Sequence, residues 1–344
     1  MFTLPYTPPW HLRDGLVQTF LVSSFYGDSF IKTQDQTPWL APYPAVPWQE
    51  HCFSGADGVP IWGLWRCPMG ARGTLIITYG ITGRVESAWY AQLLARKAYQ
   101  RGWAVVLYDW RAHGRTALYS PVPSADGWRE GEDQVRMAEQ LVALGCPDWV
   151  ALAGFSLGGQ LALWGLKATH DLDSPLIRCA AVLAPNLESN RSLDYLQTQW
   201  SGRMIEYVLV QELKREAQLR LERYPAAVKP GAVERINSIR AFDQEMVIDY
   251  YGFPSTEDYY QKTSALYLLD TLQRPYLIIY AADDPMFTPT LIPDLAERTA
   301  RNPHAHLLLT PQGGHVGHIN TPNPQEDEFW GLNRMLEYCE AMQG

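Results

Sequence analysis

Three residues have the types and the order that nucleophilic acyl transfer needs: Ser156, Asp284 and His315. Ser156 sits in Gly154-Phe155-Ser156-Leu157-Gly158, behind the apolar segment 150–153 and ahead of Gln160-Leu161-Ala162-Leu163-Trp164. A strand, a sharp turn and a helix at that spacing would lift the serine hydroxyl above a sheet on a strained backbone. The two glycines leave room for strand and helix to pass. A helix starting there would offer the free N–H of Leu157, and its positive dipole end, to a developing oxyanion. A helix cap with small neighbours explains the same residues without chemistry, so the partners carry the decision.

A carboxylate just past a strand end can orient a histidine, and Asp283-Asp284 follow the apolar run 276–280. Asp284 opens an Asp-x-x-Phe-x-Pro sequence, the usual setting of a triad acid, so it is preferred over Asp283, which could cap the turn. Gln312-Gly313-Gly314-His315-Val316-Gly317-His318 follows the run 306–309. A histidine on such a glycine-rich loop can reach between acid and serine, and His315, directly after the glycines, is preferred over His318. The loop Tyr79-Gly80-Ile81-Thr82-Gly83, after the run 74–79, should give the second oxyanion donor, the N–H of Ile81. Asp109 and Arg111 are expected to pair and support the loop beside the nucleophile.

Those positions require a particular scaffold. Short apolar runs at 74–79, 104–108, 150–153, 180–183, 276–280 and 306–309 fit strands buried on both faces. Segments 86–100, 132–144, 156–168, 288–300 and 326–341 between and after them read as helices. The alternation predicts an α/β architecture, a mostly parallel central sheet flanked by helices. Residues 185–269 break it with helical patterns alone, including one long helix over 203–224 and a second segment over 236–251. This stretch is expected to be a helical cap insertion over the strand ends, within a domain spanning 51–344. Residues 1–50, broken by prolines, should form an arm packed on that domain, burying Phe20, Leu21, Phe25 and Tyr26.

The composition agrees. Of 344 residues 47% are apolar, enough for a sizeable core, and the net charge of −9, with no basic cluster, argues against nucleic acid as partner. Five widely spaced cysteines suggest neither disulfides nor a zinc site, so reduced thiols in the cytoplasm are expected. No secretory leader and no transmembrane segment are expected. Peripheral membrane contact stays open.

With these motifs the chain resembles the α/β-hydrolase family, and more closely its YheT-like branch, which includes plant embryogenesis-associated proteins and yeast medium-chain fatty acid ethyl ester synthase/esterases. Beyond the residues above, Arg240-Ala241-Phe242-Asp243, Tyr251-Gly252-Phe253 and Asp258-Tyr259-Tyr260 are similar to that branch's motifs, and the resemblance covers about residues 50–335. Where the family has His-Gly before the oxyanion loop, this chain has Tyr79-Gly80, and the N-terminal His-Leu-Gln-Thr motif is split into His11-Leu12 and Gln18-Thr19. The resemblance implies a serine esterase with a Ser-His-Asp triad and an acyl-enzyme, acting on small-molecule esters with short- to medium-chain acyl or lipid-like groups, and with no cofactor and no metal. An acyltransferase with an alcohol acceptor, and a non-catalytic binding protein of the same fold, are the alternatives.

Overall fold

The computed structural model describes residues 4–27, 29–30 and 39–344. Among them, eight strands form one sheet: β1 (Gln49–Ser54), β2 (Pro60–Arg66), β3 (Thr74–Thr78), β4 (Ala104–Tyr108), β5 (Val150–Phe155), β6 (Ile177–Leu183), β7 (Tyr276–Ala281) and β8 (Ala305–Thr310). The spatial order is β1-β2-β4-β3-β5-β6-β7-β8. From β4 to β8 all pairings are parallel. Every residue of β3, β4, β5 and β7 is buried, as strands covered on both faces require. The antiparallel edge formed by β1 and β2 lies outside the expected strands. Only Phe53 of β1 is buried, so that strand lacks the continuous apolar run that marks the others.

The helices are α1 (Gly15–Phe20), α2 (Trp89–Gln100), α3 (Trp128–Ala143), α4 (Leu157–Asp171), α5 (Ser189–Thr198), α6 (Trp200–Arg223), α7 (Ile239–Met246), α8 (Thr256–Thr263), α9 (Leu291–Arg301) and α10 (Trp330–Gln343), with several shorter turns between them. Helix α3 begins four residues before the expected start at 132. Its N-terminus is fixed by Glu130, whose carboxylate accepts from the N–H groups of Ala125 and Gly127 at 2.9 Å each, and Gly127 turns there at φ 107°.

Between β6 and β7 the regular elements are all helical, α5 to α8 with shorter turns between them. These helices share an apolar cluster of their own around Leu213, Ile236, Val247 and Tyr259. The segment expected as 236–251 is two helices, α7 and the turn Ile248–Tyr251, separated at Val247. Arg240 ties α7 to Asp194 of α5 at 3.0 Å and to Glu257 of α8 at 3.1 Å, and the Tyr260 hydroxyl donates to the Asp243 carboxylate. The Arg-x-Phe-Asp and Asp-Tyr-Tyr residues therefore bind these helices to one another. Tyr251 connects them to the sheet domain, donating to the Pro123 carbonyl at 2.6 Å.

Of the expected arm, residues 1–3, 28 and 31–38 lie outside the described residues. The described part runs beneath the loop after β8. Gln18, fully buried, accepts the Ile319 N–H at 3.0 Å and donates to the Leu12 carbonyl at 2.7 Å. Thr19 Oγ1 accepts the His315 N–H at 2.8 Å. The Tyr26 ring stacks on Trp89 at 5.1 Å, whereas Phe20 and Phe25 are exposed. The five cysteines are free thiols, and no described helix is long and apolar enough to cross a membrane.

Candidate active site

Ser156 caps α4 directly after β5, with φ 53° and ψ −125°. A side-chain-bearing residue held in that region costs roughly 1–3 kcal/mol, so the surroundings must impose it. They do so by hydrogen bonds on both sides of the residue. The Ser156 N–H donates to the Leu183 carbonyl at 3.1 Å, and its carbonyl accepts from the Asn186 N–H at 3.0 Å. The flanking glycines permit the approach. A Cβ on Gly154 would stand 2.3 Å from the Gly158 carbonyl oxygen, and one on Gly158 would stand 2.2 Å from the Tyr79 carbonyl oxygen. Gly158→Ala is therefore expected to lower the unfolding free energy by about 1–3 kcal/mol through overpacking, read from urea unfolding midpoints.

The structure brings the three preferred residues together. His315 Nε2 lies 2.8 Å from Ser156 Oγ, and His315 Nδ1 lies 2.9 Å from Asp284 Oδ2. Facing a carboxylate, Nδ1 must carry the ring proton, which leaves the Nε2 lone pair for the serine hydroxyl. All three side chains are at least nine-tenths buried. Asp284 Oδ1 accepts the Met286 N–H at 2.8 Å, and Phe287 of the same turn meets the His315 ring edge-on at 5.0 Å. Asp283 points elsewhere: its Oδ1 accepts the Gly314 N–H at 3.0 Å, and burial raises its carboxyl above the usual range. His318 is fully buried behind the loop, with Nε2 3.0 Å from Thr310 Oγ1, and burial lowers it to about 3, so it is neutral across ordinary pH.

Ile81 and Leu157 line one cavity with Ser156, of about 90 Å³. Neither N–H has an acceptor among the described residues, whereas the neighbouring Gly80 N–H is taken by the Tyr90 hydroxyl at 3.1 Å. The rest of the wall is largely apolar, with Leu193, Leu196, Leu209, Leu213 and Phe242 supplied by the helices between β6 and β7.

The expected Asp109–Arg111 pair does not form. The Asp109 carboxylate accepts from the Tyr79 hydroxyl at 2.7 Å and from the N–H groups of Val85 and Arg115 at 2.9 and 2.8 Å, which leaves no call on a cation. Arg111 instead makes a two-pronged ion pair with Asp133 of α3, at 2.7 and 2.8 Å. The outcome for the loop is similar: Asp109 braces both the loop after β3 and the turn after β4.

Sequence reasoning missed the polar groups in the cavity wall: His113, Asp126, Glu216, Arg220 and Asp243. Their placement depends on how the inserted helices fold back, and only the family motif around Asp243 hinted at any of them. Burial raises the carboxyls of Asp126 and Asp243 above the ordinary carboxylate range, and the Asp243 charge raises Asp126 further. A carboxyl whose proton affinity rises on folding takes up a proton as the chain folds. Its contribution to stability then declines as pH climbs from about 4 through its folded value. The destabilisation caused by Asp243→Asn should accordingly be largest at about pH 4 and shrink toward pH 8 in urea titrations. A pH-independent difference between the two proteins would contradict the raised Asp243 carboxyl.

A family model described as the alpha/beta hydrolase fold matches residues 73–322. The Synechocystis sp. protein named "Putative esterase slr0264" is 39% identical over 97% of this chain and 94% of its own length. The Escherichia coli protein named "Putative esterase YheT" is 29% identical over 71% of this chain and 70% of its own length. Among solved structures, the Pyrococcus furiosus esterase Pf2001 superposes with a TM-score of 0.57 at 17% identity, covering 90% of this chain and 96% of that one.

Proposed function

The chain belongs to the α/β-hydrolase family, and we propose that it is a serine esterase in which Ser156, His315 and Asp284 cleave small-molecule carboxylic esters through an acyl-enzyme. The observation that carries this reading is the unbroken line of hydrogen bonds from the Asp284 carboxylate through His315 to Ser156 Oγ, ending in an apolar cavity. His315 Nε2 takes the hydroxyl proton as Ser156 Oγ attacks the acyl carbon. Asp284 holds the Nδ1–H and stabilises the imidazolium that results. The charge on the tetrahedral oxygen falls to the free N–H groups of Leu157 and Ile81. His315 then returns its proton to the departing alcohol. Water, deprotonated by the same nitrogen, releases the acid in a second tetrahedral step.

The esterase names of the relatives favour an ester substrate, and the leucine-rich wall favours short- to medium-chain acyl or lipid-like groups on it. The test is a panel of p-nitrophenyl esters of graded acyl length, assayed before and after reaction with a fluorophosphonate. Turnover that is lost in proportion to modification of Ser156 supports the reading. Turnover that persists after Ser156 is fully modified overturns it.

A further inference from the structure

The cavity that holds Ser156 contains a second polar pair. His113, on the loop after β4, and Glu216, on α6, both line it. His113 is only 4% exposed, and its ring stacks on Trp110 at 3.4 Å. Its Nδ1 lies 3.0 Å from the Arg111 carbonyl oxygen. A carbonyl oxygen can only accept, so Nδ1 carries the proton and Nε2 presents a lone pair. That nitrogen is buried without a hydrogen-bond partner. A Glu216 carboxyl oxygen faces it at 3.9 Å, beyond hydrogen-bond reach. Buried acceptors are rarely left unpaired in native proteins, so an orphan opposite a carboxyl in a ligand cavity points to a missing group.

The protonation states define that group. Burial raises the Glu216 carboxyl to about 8, with Arg84 opposing and Glu212 and Asp109 reinforcing the shift. Burial lowers His113 to about 3, assisted by Arg84. At neutral pH the pair is therefore an O–H donor facing a neutral imidazole acceptor. We propose that His113 and Glu216 form a hydroxyl-binding subsite, and that the preferred substrates are esters carrying a free hydroxyl, whose O–H donates to His113 Nε2 and whose oxygen accepts from Glu216. An oxygen set to the cavity side of the line between the two atoms can lie about 2.9 Å from both. An ether or carbonyl oxygen cannot donate to His113, and an ammonium cannot accept from Glu216. Glu216 also lines a second, wider groove together with Arg84 and Arg115. The assignment rests on the esterase reading, since the cavity shared with Ser156 is what makes the hydroxyl part of a substrate.

The test compares matched esters that differ by one or two hydroxyls: glyceryl monobutyrate against propyl butyrate, and methyl 6-hydroxyhexanoate against methyl hexanoate. Acid release is followed in a pH-stat at pH 7 with the wild type, Glu216→Gln and Glu216→Leu. In the wild type, kcat/KM for the hydroxylated member of at least one pair should exceed that of its partner by about 10- to 100-fold. The pair that responds tells whether the hydroxyl lies on the alcohol or the acyl side. Glu216→Gln, which still donates, should keep most of that ratio, and Glu216→Leu should reduce it to near one. Equal kcat/KM within both wild-type pairs, or a preference that survives Glu216→Leu, overturns the subsite while leaving the esterase standing. Failure to turn over any of the four esters removes the esterase reading, and the subsite with it.

Discussion

Ser156→Ala is expected to lower ester turnover by about 10⁴- to 10⁶-fold and to abolish fluorophosphonate labelling. The size of the loss follows from the division of labour. Without Oγ there is no acyl-enzyme, and His315 has no hydroxyl to deprotonate at 2.8 Å. What remains is the binding cavity with the free N–H groups of Leu157 and Ile81, which can only polarise an ester toward attack by water. The fold should tolerate the change, because the hydrogen bonds that impose the unusual backbone at position 156 are made by its own N–H and carbonyl. Ser156→Gly separates the two roles of the residue. It is expected to be equally inactive, yet at least as stable as Ser156→Ala, since glycine takes φ 53° without strain. Measured melting temperatures in the reverse order would mean that the turn is not held as described. Residual activity above about 1% in either variant would mean that another group is the nucleophile.

Asp284→Asn is expected to reduce kcat by about 10³- to 10⁴-fold, whereas Asp283→Asn should cost less than about tenfold. The neighbours differ in what they hold. Asp284 accepts the ring N–H of His315, and an amide in its place could donate to Nδ1 and shift the ring proton to Nε2. The imidazole would then present a proton, instead of a lone pair, to Ser156. Asp283 accepts a backbone N–H from Gly314, and an asparagine oxygen can do the same. Steady-state kinetics on one ester settle the ranking, and the reverse order would make Asp283 the acid.

The placement of Asp284 beside His315 was readable because it depends on local context. Asp284 was preferred for the Asp-x-x-Phe-x-Pro sequence, and the Phe287 of that sequence packs against His315. The sheet was readable for a related reason. Strands such as Ala104–Tyr108 are buried on both faces, so their sequences are apolar without interruption. The edge strand Gln49–Ser54 is buried at one residue, and its sequence is accordingly silent. Partner choice was less readable. Asp109 and Arg111 are two residues apart in sequence, but backbone donors satisfy the aspartate and a residue of α3 satisfies the arginine. Glu216 illustrates the limit. On a helix with many charged residues it reads as one more solvated side chain, and only the return of that helix over His113 makes it a buried acid.

The contact between Thr19 and His315 spans 296 residues of chain. Ring closure over that length is entropically costly and gains its reward only when both ends are in place. The Thr19 contact forms only once β8 and the loop after it are in place. The turn at Ser156, by contrast, is framed by β3, β5, β6 and α4. The backbone turn at Ser156 therefore rests on contacts close in sequence, whereas the support of the His315 backbone rests on the most distant part of the described chain.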